Sequence, residues 1–137
     1  MSSKPFVHLH THSKYSLLDG LSDIPDLARK AVEHGSPALT ITDHGTVGGL
    51  MQLSKACKAE GIKPIYGVEF YHAKDRRVKR RTRNEKANNH LTALATSTTG
   101  YRNLLALSAI ANKEGKYGKW PRVDDEVLSQ YSDGLVL

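Results

Sequence analysis

The 137 residues contain one cysteine, one tryptophan and two phenylalanines, with no apolar run near the roughly 18 residues a membrane span requires. A lone Cys57 cannot form an intrachain disulfide, which excludes the small cystine-held secreted scaffolds and fits a reducing, cytoplasmic setting. The N-terminus lacks the long apolar core of a secretory signal. Internal repeats and a separate second domain are also missing. The length is ample for one ordinary domain.

What is present is histidine, placed at the edges of apolar runs. Phe6-Val7-His8-Leu9-His10-Thr11-His12-Ser13 reads as a β-strand, whose alternation would send His8, His10 and His12 to one face. Imidazole is the commonest metal ligand near neutral pH, and two at i and i+2 can grip one ion. Asp19 follows in Leu18-Asp19-Gly20. Ala38 to Thr42 reads as a buried strand running into Asp43-His44-Gly45, and Lys63 to Val68 as another delivering Glu69. His90 opens the apolar run His90 to Ala95. Histidines with carboxylates and no thiolate suit zinc, manganese or iron better than a soft metal.

Helical periodicity fills the intervals. A helix is expected over Ile24 to His34, with Pro25 in its first turn, Gly35 at its end and Leu27, Ala31 and Val32 inward. A second spans Thr46 to Glu60, with Leu50, Leu53, Ala56 and Cys57 inward, and ends at Gly61. Gly100 to Glu114 gives a third, with Leu104, Leu107, Ile110 and Ala111 inward. Asp124 to Tyr131 gives a short fourth, with acidic residues favourable to its dipole. Strands alternating with helices argue for a parallel α/β fold, in which functional side chains collect where strands end. His90 resists that pattern because it begins its run. Either Asn88-Asn89-His90 bends over the top, or this strand runs antiparallel.

His10-Thr11-His12-Ser13, Leu18-Asp19-Gly20, Thr42-Asp43-His44-Gly45, Gly67-Val68-Glu69 and His90-Leu91-Thr92 resemble the successive signatures of the polymerase and histidinol phosphatase (PHP) domain. The longer blocks from Phe6 to Gly20, Gly61 to Tyr71 and His90 to Ser108 are similar to the branch at the N-terminus of the bacterial DNA polymerase III alpha subunit. The resemblance implies an α/β fold, a distorted seven-stranded β/α barrel of which residues 1–137 would be about the first half to two-thirds. It implies a centre of two to three divalent ions (Zn, Mn or Fe) held by His10, His12, Asp19, His44, Glu69 and His90, with Glu69 bridging two. Asp43 would orient a ligand from behind, and His8 would be a neighbour of the pair. The activity implied is metal-assisted phosphoester hydrolysis by an activated water, with no side-chain nucleophile, serving 3′–5′ exonuclease proofreading in the intact polymerase.

The family's remaining ligands, a Cys or His and an Asp-x-His pair, would lie beyond Leu137. The expectation is therefore a portion ending near a strand, holding fewer metal ions and nearly inactive alone. It would self-associate through an exposed sheet edge or pair with the remainder of the polymerase chain or a second split-gene product.

The formal charge of +6 is carried by one segment. Lys74 to Lys86 holds eight basic residues against Asp75 and Glu85, and the rest of the chain is neutral. Without periodic apolar residues, 74–88 reads as a solvated loop insertion. Arg76, Arg77, Lys79, Arg80, Arg81 and Arg83 become candidate contacts to DNA phosphates, against the plainer alternative of a variable solvated loop. Few aromatics interleave them, so base stacking is not indicated. Two other functions compete with the exonuclease: a structural metal-binding module of the polymerase, and a small-molecule phosphatase of the histidinol phosphatase type. The basic segment and the Thr99-Gly100-Tyr101-Arg102-Asn103-Leu104 block argue against the latter.

Overall fold

A computed structural model describes residues 5–79 and 89–137. Among the described residues the order is α1 (Ile24–Glu33), β1 (Ala38–Ile41), α2 (Leu50–Glu60), β2 (Lys63–His72), β3 (Asn89–Ala95), α3 (Thr98–Lys113), β4 (Arg122–Val123), α4 (Asp125–Tyr131) and β5 (Leu135–Val136). The sheet runs β1-β2-β3-β5, with β4 also on β2. β1 lies parallel to the first half of β2, with Ala38 opposite Lys63 and Ile41 opposite Tyr66. β3 is antiparallel to the second half, with Gly67 opposite Leu94 and His72 opposite Asn89. The sheet is thus mixed, which corrects the expectation of a parallel one. It also settles His90: an antiparallel β3 starts beside the end of β2 and so delivers its first residues to the same rim.

Two apolar cores pack against this sheet and share Val47 and Tyr66 at their margins. α1 and α2 close one around Ile24, Ala28, Leu39, Ile41, Leu53 and Cys57. α3 and α4 close the other around Val68, Phe70, Leu104, Leu107, Val123 and Val127. The inward residues expected of α2 are all buried. In α1 the stripe is rotated: Ile24 and Ala28 are buried, Leu27 and Ala31 pack at the margin, and Val32 is exposed.

Caps account for the helix boundaries. Ser97 accepts a hydrogen bond from the Gly100 amide at the start of α3 and Asp124 from the Val127 amide at the start of α4, each satisfying a free N-terminal N–H. α2 begins at Leu50, not Thr46, because the Thr46 hydroxyl takes the Gly48 amide and Gly48-Gly49 have the weakest helix preference short of proline. Gly61 in the left-handed region ends it.

The histidine-bearing run Phe6 to Ser13 is not a strand. Its backbone-to-backbone pairing with the end of β1 is made at Thr11, whose carbonyl accepts from the Thr42 amide at 2.8 Å and whose amide donates to the Thr42 hydroxyl at 3.0 Å. One residue's worth of pairing makes no ladder, so the alternation rule loses its footing there.

Candidate metal centre

The six residues singled out as ligands converge. His10 and His12 arrive on the segment stitched to Thr42, Asp19 on the following turn, His44 just past β1, Glu69 within β2 and His90 on β3. His44 is bridged to Glu69 through the backbone: the Glu69 amide donates to the Asp43 carbonyl and the Gly45 amide to the Glu69 carbonyl.

Glu69 is 1% exposed and lies at the middle of the cluster. Its Oε2 is 3.0 Å from His10 Nε2, 3.0 Å from His12 Nε2 and 3.3 Å from His44 Nδ1, while Oε1 meets His90 Nδ1. Asp19 Oδ2 lies 3.0 Å from His44 Nε2 and 4.0 Å from His12 Nε2. The rings of His12 and His44 stack at 4.3 Å. Tyr71 backs them, stacked on His44 at 5.5 Å and edge-on to His90 at 5.1 Å.

Burial, then the neighbouring His44, holds the His12 imidazole below its ordinary pKa. Burial opposes the charge on Glu69, but the hydrogen bond from His10 and the fields of His90 and His44 outweigh it, leaving its carboxyl below the usual range. Burial, with Glu69 and Asp19, raises the Tyr71 phenol.

Whether these residues fit a cation can be tested on their protons. A neutral imidazole has one N–H and one lone pair. His44 Nε2 is hydrogen-bonded to Asp19, and an ionised carboxylate only accepts, so the proton sits on Nε2. His44 Nδ1 is then a bare lone pair, buried and without a hydrogen-bond partner, facing a carboxylate oxygen at 3.3 Å. An orphaned buried acceptor is costly, and two converging acceptors are what a cation satisfies. Among the described residues, the ligand atoms within each of three sets lie within 4.8 Å of one another: His10 with His12 and Glu69, His12 with Asp19 and His44, and His44 with Glu69 and His90. Glu69 belongs to two sets. The donor set fits a divalent ion of borderline hardness. Cys57, buried in the α1/α2 core with its thiol pushed up to about 11, takes no part.

Behind the ligands lies a network of which only Asp43 was legible in sequence. Asp43 is buried and accepts from the Ser13 amide at 2.6 Å, the Ser13 hydroxyl at 2.7 Å and the Ser16 hydroxyl at 2.7 Å. It reaches His12 only through Ser16, not directly. Gly20 closes the turn: a Cβ there would lie 2.0 Å from the Ser13 carbonyl oxygen, and the adjacent Leu18 has φ +68°. His8 is exposed and packs edge-on against Phe6. Ser13, Ser16 and Tyr71 were missed. Tyr71 alone carried a signal, lying two residues beyond Glu69 on one strand face.

The basic segment divides. Arg76 is 4% exposed and bound to Asp124, Glu114 and Glu126 at 2.8 to 3.1 Å, so it is not a phosphate contact. Arg77 pairs with Glu126, and Lys79 is exposed. Arg80, Arg81 and Arg83 lie outside the described residues. The expected solvated loop therefore starts no earlier than Arg77. Three carboxylates, at the end of α3 and the start of α4, offer Arg76 a better-matched partner than water.

A mixed α/β sheet whose rim gathers imidazoles around a buried carboxylate presents the donor set of a metal centre. The chain belongs to the PHP domain family, whose model matches residues 8–137. Among curated relatives, DNA polymerase III subunit alpha of Treponema pallidum is 49% identical over 99% of this chain, and that of Aquifex aeolicus 46% over 98%. The chain spans about 12% of the length of these relatives. Among solved structures, an amidohydrolase from Chromobacterium violaceum with bound sulfate and no metal is similar at a TM-score of 0.56 and 25% identity, covering 77% of this chain and 33% of that one. Among the described residues, no helix is long and apolar enough to cross a membrane.

Proposed function

We propose that this chain is the PHP region of a bacterial-type DNA polymerase III alpha subunit and that its site hydrolyses phosphodiesters in DNA as a 3′–5′ exonuclease of the whole polymerase. The observation that carries the reading is Glu69, buried, bearing two carboxylate oxygens and surrounded by four imidazoles. His10, His12, Glu69 and His90 would hold one part of the centre, and Asp19 and His44 another once His44 gives up the Nε2 proton it shares with Asp19. When bound, divalent ions supply water activation and neutralise charge on the phosphoryl oxygens.

The protein's own share is positioning. Burial keeps Glu69 dry while the surrounding imidazoles keep it ionised, the stacked pair of His12 and His44 fixes two ring planes, and Tyr71 walls the cluster from the β2 side. The exposed faces of His10 and His90 leave the centre open on the side from which a strand would approach. Lys79 with Arg80, Arg81 and Arg83 would meet flanking phosphates, and their replacement by Gln would flatten the salt dependence of DNA binding by up to about 0.7 to 0.9 in log–log slope per lost contact.

The test uses the complete polymerase chain carrying this domain and a 5′-labelled single strand. Shortening from the 3′ end that needs a divalent metal and is lost in Glu69→Gln, with polymerisation retained, is the expected result. Metal bound without any cleavage would replace this reading by a structural metal module. Release of phosphate from small monoesters alone would replace it by a phosphatase.

A further inference from the structure

The Ser16 hydroxyl is placed to set the tautomer of a metal ligand. It is 1% exposed and touches three groups at once: Asp43 Oδ1 at 2.7 Å, His12 Nδ1 at 3.1 Å and the His44 backbone amide at 3.2 Å. A hydroxyl has one proton to give and two lone pairs to receive with. The His44 amide can only donate, so it takes one lone pair. The single proton is contested by Asp43 and His12.

Asp43 wins that contest on distance and on charge. Hydrogen bonds to an ionised carboxylate are shorter and roughly twice as strong as neutral ones. Asp43 already holds the Ser13 amide and hydroxyl, which fixes it in place and in its acceptor role. With its proton committed to Asp43, the Ser16 oxygen can only accept from His12. Glu69 Oε2, 3.0 Å from His12 Nε2, is the rival acceptor, but that contact lacks hydrogen-bond geometry whereas His12 Nδ1 is hydrogen-bonded to Ser16. His12 therefore carries its proton on Nδ1, and its Nε2 lone pair is aimed at the space shared with Glu69 Oε2 and with Asp19 Oδ2 at 4.0 Å.

We propose that Ser16 is a positioning residue of the metal centre, acting through His12: by spending its proton on Asp43 it fixes His12 as the Nδ1–H tautomer and presents Nε2 as a ready-made ligand. The same hydroxyl, through the His44 amide, ties the turn bearing Asp19 to the residue that follows β1. One oxygen thereby links His12, the backbone of His44 and the Asp19 turn. The proposal rests on the metal-centre reading above for its purpose, but the tautomer stands on hydrogen-bond arithmetic alone.

Ser13 supplies the control. Its hydroxyl also donates to Asp43, at 2.7 Å, yet its other recorded hydrogen bond is from the Tyr15 amide and none is to a histidine. Ser13→Ala and Ser16→Ala each delete one hydroxyl donor from the same carboxylate, and only Ser16→Ala strips the acceptor from His12.

The experiment is nitrogen-15 NMR of the histidine side chains in the metal-free chain, paired with zinc affinity by chelator competition. In the wild type, His12 Nδ1 should resonate as a protonated ring nitrogen and Nε2 as an unprotonated one. Ser16→Ala should move His12 toward a mixture of tautomers and weaken zinc binding by about 10- to 100-fold, the usual cost of losing an outer hydrogen-bond partner. Ser13→Ala should leave the His12 signals in place. A wild-type His12 protonated on Nε2 would overturn the inference without recourse to any variant, so a Ser16→Ala chain that fails to fold does not shelter it. Wild-type zinc binding that Ser16→Ala matches, with unchanged His12 signals, would also overturn it. A wild type that binds no zinc would instead overturn the metal-centre reading, and with it the role of Ser16 toward a ligand.

Discussion

Two buried carboxylates, Glu69 and Asp124, lie on opposite terms with their surroundings. Asp124 is 3% exposed and fully answered by donors: the Arg76 guanidinium at 2.9 Å, the Arg76 amide at 2.9 Å and the Val127 amide at 3.3 Å. Its carboxyl is held below the usual range, since these donors overcome the penalty of burial. Arg122 closes the neighbourhood by donating to the carbonyls of Gly115, Arg76 and Val78. Glu69, equally buried, is answered by imidazoles, and one of them turns a bare lone pair toward it. The difference teaches how to separate structural from functional charge. A carboxylate matched by fixed cations and N–H groups holds the fold together, whereas one surrounded by ambivalent rings is kept for a guest.

The comparison can be broken first at Arg76. Arg76→Met leaves Asp124 buried without its cation, and stranding one partner of a buried pair costs about 3–5 kcal/mol. Denaturant titration should show that loss or outright unfolding. An equally stable Arg76→Met would demote the Asp124 cluster to decoration.

Next comes Glu69→Gln, which should act the other way round. Zinc affinity should fall by about 100-fold or more, equivalent to about 2.7 kcal/mol of binding. The stability of the metal-free chain should change by less than about 1 kcal/mol, because no fixed cation is stranded. A large loss of metal-free stability would mean that Glu69 is as structural as Asp124. Changing both His10 and His12 to Ala should likewise lower metal content while sparing the metal-free fold, and elemental analysis reads that directly.

Acid should separate the clusters further. Asp124 is depressed, and Glu126, paired with Arg77 and Arg76, is held at about 2. A carboxyl depressed in the folded chain contributes stability that is full above its unfolded pKa, near 4, and is lost as pH falls through the folded value. The metal-free chain should therefore lose stability between about pH 4 and about pH 2. The decline should be shallower in Arg76→Met, which has lost one of the partners responsible, the guanidinium shared by Asp124 and Glu126. Parallel slopes would show that the acid sensitivity arises elsewhere.

The smallest effect belongs to Arg77→Gln. Its pair with Glu126 is half exposed on both sides, and exposed pairs contribute about 0–1 kcal/mol. A measurable drop beyond that would mean that Arg77 shares in the Arg76 network as more than a surface partner.

Much of the site was legible because ligand chemistry is a property of residue type. Six histidines and carboxylates at the ends of apolar runs could be picked out without coordinates, and all six meet. Helix periodicity likewise located the inward faces of α2 and α3, since 3.6-residue spacing is local. The basic segment misled because a charge count is blind to partners: Arg76 is as cationic as its neighbours, but its counter-charges lie 38 to 50 residues away, at the end of α3 and the start of α4.

Sequence alone determined which side chains are able to bind a metal, since imidazole and carboxylate carry that ability wherever they go. It also determined that helices would alternate with strands, since apolar period and glycine position are local facts. Tertiary structure decided the rest. The direction of β3 depends on pairing with β2, and the loss of the first strand depends on a single stitch at Thr42. The proton on His12 depends on a serine whose hydroxyl is claimed by an aspartate 27 residues away. Those outcomes rest on hydrogen bonds between distant residues, and no local pattern encodes where a distant partner will stand.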